Sequence, residues 1–371
     1  MPDFAIAGSS SFATRARFVM LQLLTTIPAL IGFVSACLAS EAGVREVTLV
    51  QPGRDLAVTV WYPAGAGGTP TTLGDNRVFM GAPAALDAPP VPGRHPLVLL
   101  SHGSGSRVQA MGWLATELAK AGFVVAGPNH PGTTSGFSTP ADTPKLWQRT
   151  GDLSAVIDAM TRDPAWNSVI DADRIGVVGF SLGGAAAMEL AGARADLEAY
   201  ASYCDGYKKW DCAWFAGGVG YVDEARVTVD RLDLRSIDRT RFEQSNLDHR
   251  IKTAVLADPG LAQAYDAQSL TEIAIPMHFI NLGNAETIPL AVISDRLAKL
   301  TPRGSYATVA GATHFSFLPE CKEGAADLLK SVGEIDPICS DEATRPRGEL
   351  HAEMIALVKD RLVRDLMAPG Q

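Results

Sequence analysis

The residues best suited to covalent chemistry lie in the segment Gly179–Gly183, which reads GFSLG. The run 174–178 before it, apolar from Ile175 onward, predicts a buried strand, and the small residues 184–187 after it begin a helix. A strand, a tight turn and a helix in that order are the context in which Gly-x-Ser-x-Gly forms a nucleophile elbow. The alternative is an ordinary glycine-rich turn. We predict that Ser181 is a nucleophile.

A serine nucleophile needs a base within hydrogen-bond reach. On an elbow of this kind, an acid and then a histidine follow the serine along the chain. Of the seven histidines, His314 is the one just beyond the last predicted strand, so we predict it as the base. We interpret His102 and His130 as structural or pocket-lining residues.

Two carboxylates compete for the role of the acid that orients His314. Asp258 follows the predicted strand 251–257, and Glu286 is the only carboxylate in the loop after the predicted strand 275–281. A carboxylate at the carboxyl end of a buried strand lies on the sheet edge where α/β sites form. It also needs a partner there, such as an imidazole N–H. The residues alone leave both candidates open.

Acyl transfer further needs N–H donors for the oxyanion of the tetrahedral intermediate. The backbone N–H of Leu182, next after the nucleophile, is one candidate. The second is the N–H of Ser104, in the glycine-rich loop 102–106 that follows a predicted strand. A turn without a role is the alternative for this loop.

The elements that must position these residues alternate along the chain. Short apolar runs bounded by turn residues predict strands at 44–50, 56–62, 96–101, 123–127, 174–180, 251–257, 275–281 and 305–309. Helical spacing predicts helices at 108–121, 152–162 and 349–366. Such alternation predicts an α/β fold with a mostly parallel central sheet flanked by helices.

The segment from about 200 to 250 fits no sheet element. It carries two cysteines and two tryptophans in 200–214 and is heavily charged over 222–250. Because an insertion of this length exceeds an ordinary connection, we predict a cap over the site. A surface excursion without a role is the alternative.

The N-terminal residues have the pattern of an export signal. Arg15 and Arg17 precede an uncharged run from Phe18 to Ser40 that ends in small residues. A membrane-spanning helix is the alternative. We predict an export signal over 1–36 and a single hydrolase domain over 44–371.

The run VSAC, which ends at Cys37, resembles the lipobox of bacterial lipoproteins. In that motif the cysteine is lipidated and becomes the new N-terminus, which would attach the protein to a membrane. Cleavage near Ala39 would instead release a soluble protein. We therefore expect an exported protein of the bacterial periplasm or outer envelope, or a secreted one.

The other four cysteines are an even number, as expected for disulfides in an oxidising compartment. Three connectivities are possible, and the local pairing of Cys204 with Cys212 and Cys321 with Cys339 is the simplest. Four buried free thiols are the alternative. No CxxC or Cys/His cluster with zinc-ligand spacing occurs, so we expect neither a metal nor a cofactor.

The overall charge argues against nucleic acid as a partner. The 371 residues carry a formal net charge of −9, which does not favour the extended basic face needed to bind phosphates. With 47% hydrophobic and 20% charged residues, the chain has enough apolar sequence for one large core.

Several runs together resemble the platelet-activating-factor acetylhydrolase-like and predicted dienelactone-hydrolase-like branch of the α/β hydrolases. They are PLVLLSHG (96–103), AGFVVA (121–126), DRIGVVGFSLGG (173–184), IPMHFIN (275–281) and GATHFSF (311–317). The resemblance covers about 44–339 and implies the α/β-hydrolase fold and ester hydrolysis without a metal. True dienelactone hydrolases use cysteine where this chain has Ser181, so dienelactone itself is not an expected substrate.

The resemblance bears on the choice of acid. In most α/β hydrolases the acid follows the second strand after the nucleophile, which here favours Glu286. Platelet-activating-factor acetylhydrolases carry their catalytic aspartate at a place that matches Asp258. We choose Asp258 and keep Glu286 as the alternative.

These expectations combine into one hypothesis. The chain is predicted to be a serine carboxylic-ester hydrolase that acts through an acyl-enzyme on a small-molecule or lipid-like ester. An acyltransferase or polyester depolymerase with the same machinery is one alternative. A catalytically inactive envelope lipoprotein that only binds a ligand is another.

Overall fold

The computed structural model describes residues 41–340 and 343–367. Its strands are β1 (Glu41–Leu49), β2 (Leu56–Ala64), β3 (Thr69–Leu73), β4 (Ala82–Leu86), β5 (His95–Ser101), β6 (Val124–Pro128), β7 (Thr133–Thr134), β8 (Phe137–Ser138), β9 (Ile170–Phe180), β10 (Gly220–Val222), β11 (Ala225–Val227), β12 (Ile251–Ala257), β13 (Met277–Asn281) and β14 (Gly304–Thr308). Its helices are α1 (Gly112–Lys120), α2 (Leu146–Arg162), α3 (Leu182–Leu190), α4 (Leu197–Gly206), α5 (Asp211–Trp214), α6 (Arg239–Phe242), α7 (Ala267–Thr271), α8 (Asp295–Leu300), α9 (Ala325–Ser331) and α10 (Arg347–Leu366).

A ten-stranded sheet forms the centre, in the order β14-β13-β12-β9-β5-β6-β2-β1-β4-β3. From β6 to β14 all neighbouring strands in this order run parallel. Strands β5, β6 and β12 are almost entirely buried because helices cover both faces of the sheet. Two clusters of buried side chains fill the two interfaces between sheet and helices. The prediction of a mostly parallel sheet flanked by helices is confirmed.

Two features of the main sheet layer differ from the sequence predictions. Strands β3 and β4 form a hairpin in the glycine- and proline-rich stretch between the predicted strands 56–62 and 96–101, where the sequence patterns predict no strand. Helix α2 begins at Leu146, well before the predicted start at residue 152. Its first turns bury the polar residues Arg149 and Asp152, so the apolar periodicity that reveals a helix is interrupted there.

The predicted cap region contains regular structure that sequence patterns did not reveal. Helices α4, α5 and α6 lie in it, and β10 and β11 join β7 and β8 in a separate four-stranded sheet. Strands of two or three residues are too short to show an alternating pattern. A cluster of buried side chains that includes Tyr200, Phe215 and Phe242 packs this region against Leu182 and Ala185 at the start of α3.

Both predicted disulfides are present in the structure. Cys204 is bonded to Cys212 with a Cα–Cα distance of 5.2 Å, and this bond joins α4 to α5. Cys321 is bonded to Cys339 with a Cα–Cα distance of 5.8 Å, in the segment that follows His314. Two disulfides fit a protein exported to an oxidising compartment.

The predicted export signal and Cys37 lie outside the described residues. Within the described part of the chain, no helix combines the length and the apolar character needed to cross a bilayer.

Candidate active site

Ser181 occupies a sharp turn between β9 and α3, with φ 55° and ψ −122°. This left-handed conformation is unfavourable for a non-glycine residue and is typical of functional sites. Glycine is required on both sides of it. A Cβ at Gly183 would overlap the carbonyl oxygen of Ser101, and one at Gly179 would overlap the carbonyl oxygen of Gly183. The GFSLG segment therefore folds as the predicted elbow.

The structure brings Ser181, His314 and Asp258 into one hydrogen-bonded chain. The Nδ1 atom of His314 lies 2.8 Å from Asp258 Oδ2, and its Nε2 atom lies 3.1 Å from Ser181 Oγ. Because a carboxylate only accepts, Nδ1 carries the proton and Nε2 is left to accept from the serine hydroxyl. This is the geometry of a nucleophile, a base and an orienting acid.

Asp258 is fully buried and has a partner for each carboxylate oxygen. While Oδ2 accepts from His314, Oδ1 accepts from Asn281 Nδ2 at 2.8 Å and from the Leu282 N–H at 2.9 Å. A buried carboxylate is tolerated only with such compensation. These bonds also fix the direction in which Asp258 presents Oδ2 to the imidazole.

Asn281 was not predicted, although it ends a strand that the sequence analysis identified. Its Oδ1 accepts from the Ser294 N–H at 3.0 Å and from the Tyr306 hydroxyl at 3.1 Å, so both ends of the amide are held. The signal that could have revealed Asn281 is a polar amide at the carboxyl end of a fully buried strand.

Glu286 does not join this chain. It lies on the exposed loop after β13, where its backbone N–H donates to Asn284 Oδ1 at 2.8 Å. Both ring nitrogens of His314 are already engaged, by Asp258 and by Ser181. The structure thus pairs the histidine with the acid after β12 and not with the acid after β13.

The predicted oxyanion donors belong to two segments that meet at the elbow. Leu182 is the first residue of α3, so its N–H has no acceptor within the helix. Loop 102–104 approaches from the end of β5, and a Cβ at Gly103 would lie 3.4 Å from Ser181 Cβ. Ser104, next in this loop, is exposed.

Aromatic rings surround the base. His314 stacks on Phe180 with ring centroids 4.9 Å apart, and Phe180 stacks on Phe317 at 4.2 Å. Phe315 lies against the other edge of the imidazole at 5.7 Å. Trp210, from the cap region, lies 6.1 Å from Phe315 and has 41% of its surface exposed. The exposed ring of Trp210 therefore lies beside Phe315, the residue that follows His314 in the chain.

One group of residues in the described chain has ligand atoms spaced as in a metal site. It comprises Cys204, Asp211 and Cys212. Both of its sulfur atoms are joined in a disulfide and so offer no thiolate to a metal.

Comparisons with known proteins point in the same direction as the geometry. A family model described as PET hydrolase-like matches residues 91–212. Cutinase 2 of Thermobifida cellulosilytica is 35% identical over 104 residues, which are 28% of this chain and 36% of that protein. Cutinase cut1 of Thermobifida fusca is 35% identical over 104 residues, which are 30% of its length. The match thus spans about a third of these relatives.

Similarity to a solved structure extends over nearly the whole chain. A ferulic acid esterase from Streptomyces cinnamoneus superimposes with a TM-score of 0.59, covering 91% of this chain and 93% of that one at 19% sequence identity. Identity at this level establishes the fold alone. The sheet order, the elbow at Ser181 and this superposition together show that the chain has the α/β-hydrolase fold.

Proposed function

We propose that this protein is a serine carboxylic-ester hydrolase. The observation that carries the proposal is the hydrogen-bonded chain from Ser181 through His314 to Asp258 on a strained strand-to-helix elbow. The similarity of residues 91–212 to PET hydrolase-like proteins, and of a shorter stretch to cutinases, supports an ester as the substrate.

The reaction would proceed through an acyl-enzyme. Ser181 Oγ attacks the ester carbonyl carbon while His314 Nε2 takes the hydroxyl proton, and Asp258 stabilises the resulting imidazolium. The N–H groups of Leu182 and Ser104 bind the oxyanion. When the C–O bond breaks, His314 returns its proton to the leaving alcohol. Water then attacks the acyl group by the same route and releases the carboxylic acid.

Labelling with a fluorophosphonate and two carboxylate variants test this proposal. Wild-type protein should react at Ser181, whereas Ser181→Ala should not react and should lose esterase activity with its fold intact. Asp258→Asn should lower kcat by up to about 10⁴-fold, because an amide can hold the imidazole in the wrong tautomer. Glu286→Gln is the matched control and should cost far less. Protein that neither labels nor turns over several nitrophenyl esters would instead support a catalytically inactive binding protein.

A second candidate is a polyester depolymerase with the same machinery. The specific observation in its favour is the exposed Trp210 beside Phe315, which offers apolar aromatic surface next to the base. A contact between two aromatic rings is worth about 0.5–1.5 kcal/mol beyond the area that it buries. The test is hydrolysis of a solid aromatic polyester film and of soluble nitrophenyl butyrate by wild-type protein and Trp210→Ala. A selective loss on the film supports depolymerisation, and no film hydrolysis by wild-type protein rejects it.

Acyl transfer to an alcohol instead of water would use the same intermediate. Adding a primary alcohol to the nitrophenyl ester assay separates the two outcomes. A hydrolase releases mainly free acid, whereas an acyltransferase releases mainly the new ester. We propose hydrolysis, since the partial sequence matches are to a PET hydrolase-like family model and to cutinases.

We further propose that the protein is exported and that Cys37 is lipidated. The two disulfides support export. The VSAC run supports lipidation. Mass spectrometry of the mature N-terminus in a bacterial host tests both, with Cys37→Ala as the control. A diacylglyceryl modification on Cys37 supports the proposal, and an unmodified N-terminus near Ala39 rejects lipidation but keeps export.

A further inference from the structure

A buried polar network contacts loop 102–104, the segment that carries the proposed oxyanion donor Ser104. His102 and His130 are fully buried, and Arg149 and Asp152 of α2 are each 2% exposed. Burying ionisable groups is unfavourable unless they are paired. The chain of bonds from Ser181 to Asp258 includes none of these four residues. Their arrangement therefore calls for a separate explanation.

Asp152 is held at one end of the network by Arg54, whose Nε and Nη2 donate at 2.6 Å and 2.8 Å. It also accepts from His130 Nδ1 at 2.8 Å, so His130 Nε2 is free to accept from Ser101 Oγ at 3.0 Å. Burial lowers the pKa of His130 well below its usual value, and the charges of Arg149 and Arg54 lower it further. His130 is therefore neutral and has a defined tautomer.

Arg149 connects this network to the loop. Its Nη1 donates to the carbonyl oxygen of His102 at 2.7 Å, and its Nε donates to Thr133 Oγ1 at 3.0 Å. Burial lowers the pKa of Arg149 to about 9, so the guanidinium remains charged at neutral pH. A charged donor holds the first peptide group of the loop more firmly than a neutral one would.

His102 holds the next peptide group. The backbone N–H of His130 lies 3.1 Å from His102 Nε2. Because a backbone N–H can only donate, His102 Nε2 is the acceptor. Burial, with the charge of Arg149 adding to it, lowers the pKa of His102 well below its usual value. The neutral ring must then carry its proton on Nδ1, and Nδ1 donates to the carbonyl oxygen of Gly103 at 2.7 Å.

That carbonyl belongs to the same planar peptide group as the Ser104 N–H. In a trans peptide the C=O and N–H bonds point in opposite directions, so fixing one fixes the other. The Gly103 carbonyl oxygen also accepts a longer hydrogen bond from the Ser106 N–H, at 3.3 Å. Because Gly103 has no Cβ to limit its backbone angles, the shorter bond from His102 Nδ1 is the stronger restraint on where the Ser104 N–H points.

We propose that His102 is a positioning residue that fixes the Ser104 N–H as an oxyanion donor. His130 and Arg149 hold His102 in the tautomer and the place that this role requires. The proposal rests on the proposed esterase function, because only an oxyanion gives the Ser104 N–H a catalytic role.

Variants of His102 test this proposal. His102→Ala removes the donor to Gly103, whereas the side-chain N–H of His102→Asn can replace Nδ1. Since loss of one oxyanion donor costs about 10²- to 10³-fold in kcat, we expect a loss of that size for His102→Ala with nitrophenyl butyrate. KM should change little, because the donor acts on the transition state and not on the bound ester. His102→Asn should recover a large part of the loss.

Binding of a trifluoromethyl ketone provides a readout that a merely structural role would not change. Its hemiketal with Ser181 carries an oxyanion, so its affinity for His102→Ala should fall by the same factor as kcat/KM. His95→Ala is the matched control, because His95 Nδ1 also lies close to a backbone carbonyl, that of Gly122 at 2.9 Å, at the opposite end of β5. It should leave kcat and the ketone affinity unchanged.

Three results would overturn the inference. The first is a His102→Ala variant with wild-type kcat and ketone affinity. The second is a loss no larger than that of His95→Ala. If His102→Ala fails to fold, nitrogen NMR of the wild-type imidazoles shows which ring nitrogen of His102 carries the proton, with the His102 signal assigned from its absence in His102→Asn. A proton on His102 Nε2 instead of Nδ1 would be the third contrary result. Wild-type protein that is inactive and unlabelled at Ser181 would instead refute the esterase function itself.

Discussion

Glu189 is a buried acid on α3, and replacing it with glutamine should stabilise the protein at alkaline pH. The side chain is 1% exposed. Its Oε2 accepts from Asn246 Nδ2 at 2.8 Å, while Oε1 is buried with no partner among the described residues. Burial raises the pKa of Glu189 from 4.5 to about 8, and the bond from Asn246 offsets only part of this.

The direction of the pH dependence follows from proton binding. A glutamate raised to about 8 in the folded state keeps its proton over the range in which the unfolded chain has lost it. The free energy of unfolding therefore falls as the pH rises from about 4.5 to about 8 and changes no further above that. At about 1.4 kcal/mol per pKa unit, the full effect is up to about 5 kcal/mol. Glutamine has nearly the same shape and does not ionise.

Urea unfolding at pH 5, 6.5 and 8.5, followed by tryptophan fluorescence with the disulfides intact, measures this effect. Glu189→Gln should be close to wild type at pH 5 and more stable by several kcal/mol at pH 8.5. The control is Glu117→Gln on the exposed side of α1, where the ion pair with Lys120 contributes at most about 1 kcal/mol. A difference between Glu189→Gln and wild type that does not grow with pH would refute the reasoning.

Three further predictions concern the candidate site, the disulfide in the segment after His314, and Trp210. Asn281→Leu removes a donor to Asp258, so it should destabilise the protein by about 2 kcal/mol and lower kcat more than KM. Unchanged kinetics would mean that the Leu282 N–H alone orients the carboxylate. Reduction of Cys321–Cys339, which closes a loop over a sequence separation of 18, should cost about 3 kcal/mol by denaturation at neutral pH. A Cys321→Ser/Cys339→Ser variant with the stability of wild type would contradict that. Trp210→Ala should raise KM for an aromatic ester relative to an acetate ester, and equal changes for both would exclude a stacking role.

The parts of the site that were predictable are those with a local signal. The elbow is visible in the sequence because its glycines flank a serine between an apolar run and a run of small residues. Strand β12 has the predicted bounds 251–257, since both faces are covered and every residue but Lys252 is buried. His314 was identifiable by its order in the chain relative to Ser181.

The parts that were missed depend on contacts between distant segments. Arg149 and Asp152 resemble a solvated helix face in sequence, yet their partners His102 and Arg54 lie far away along the chain and bury them. Asn281 acts through Asp258, from which it is separated by 23 residues. The periodicity of apolar residues does not reveal a buried polar network. Each residue of the network interrupts the apolar pattern at a single position, as a solvent-exposed polar residue would.

The central claim is that an ester is cleaved through a covalent acyl group on Ser181. Rapid mixing of the enzyme with excess nitrophenyl acetate, quenched in acid and analysed by peptide mass spectrometry, tests it most directly. We predict a burst of nitrophenolate of about one equivalent per enzyme and an acetyl group on the peptide that contains Ser181. Steady release of nitrophenolate without a burst, together with an unmodified Ser181 peptide and an acetyl group on another residue, would contradict the account.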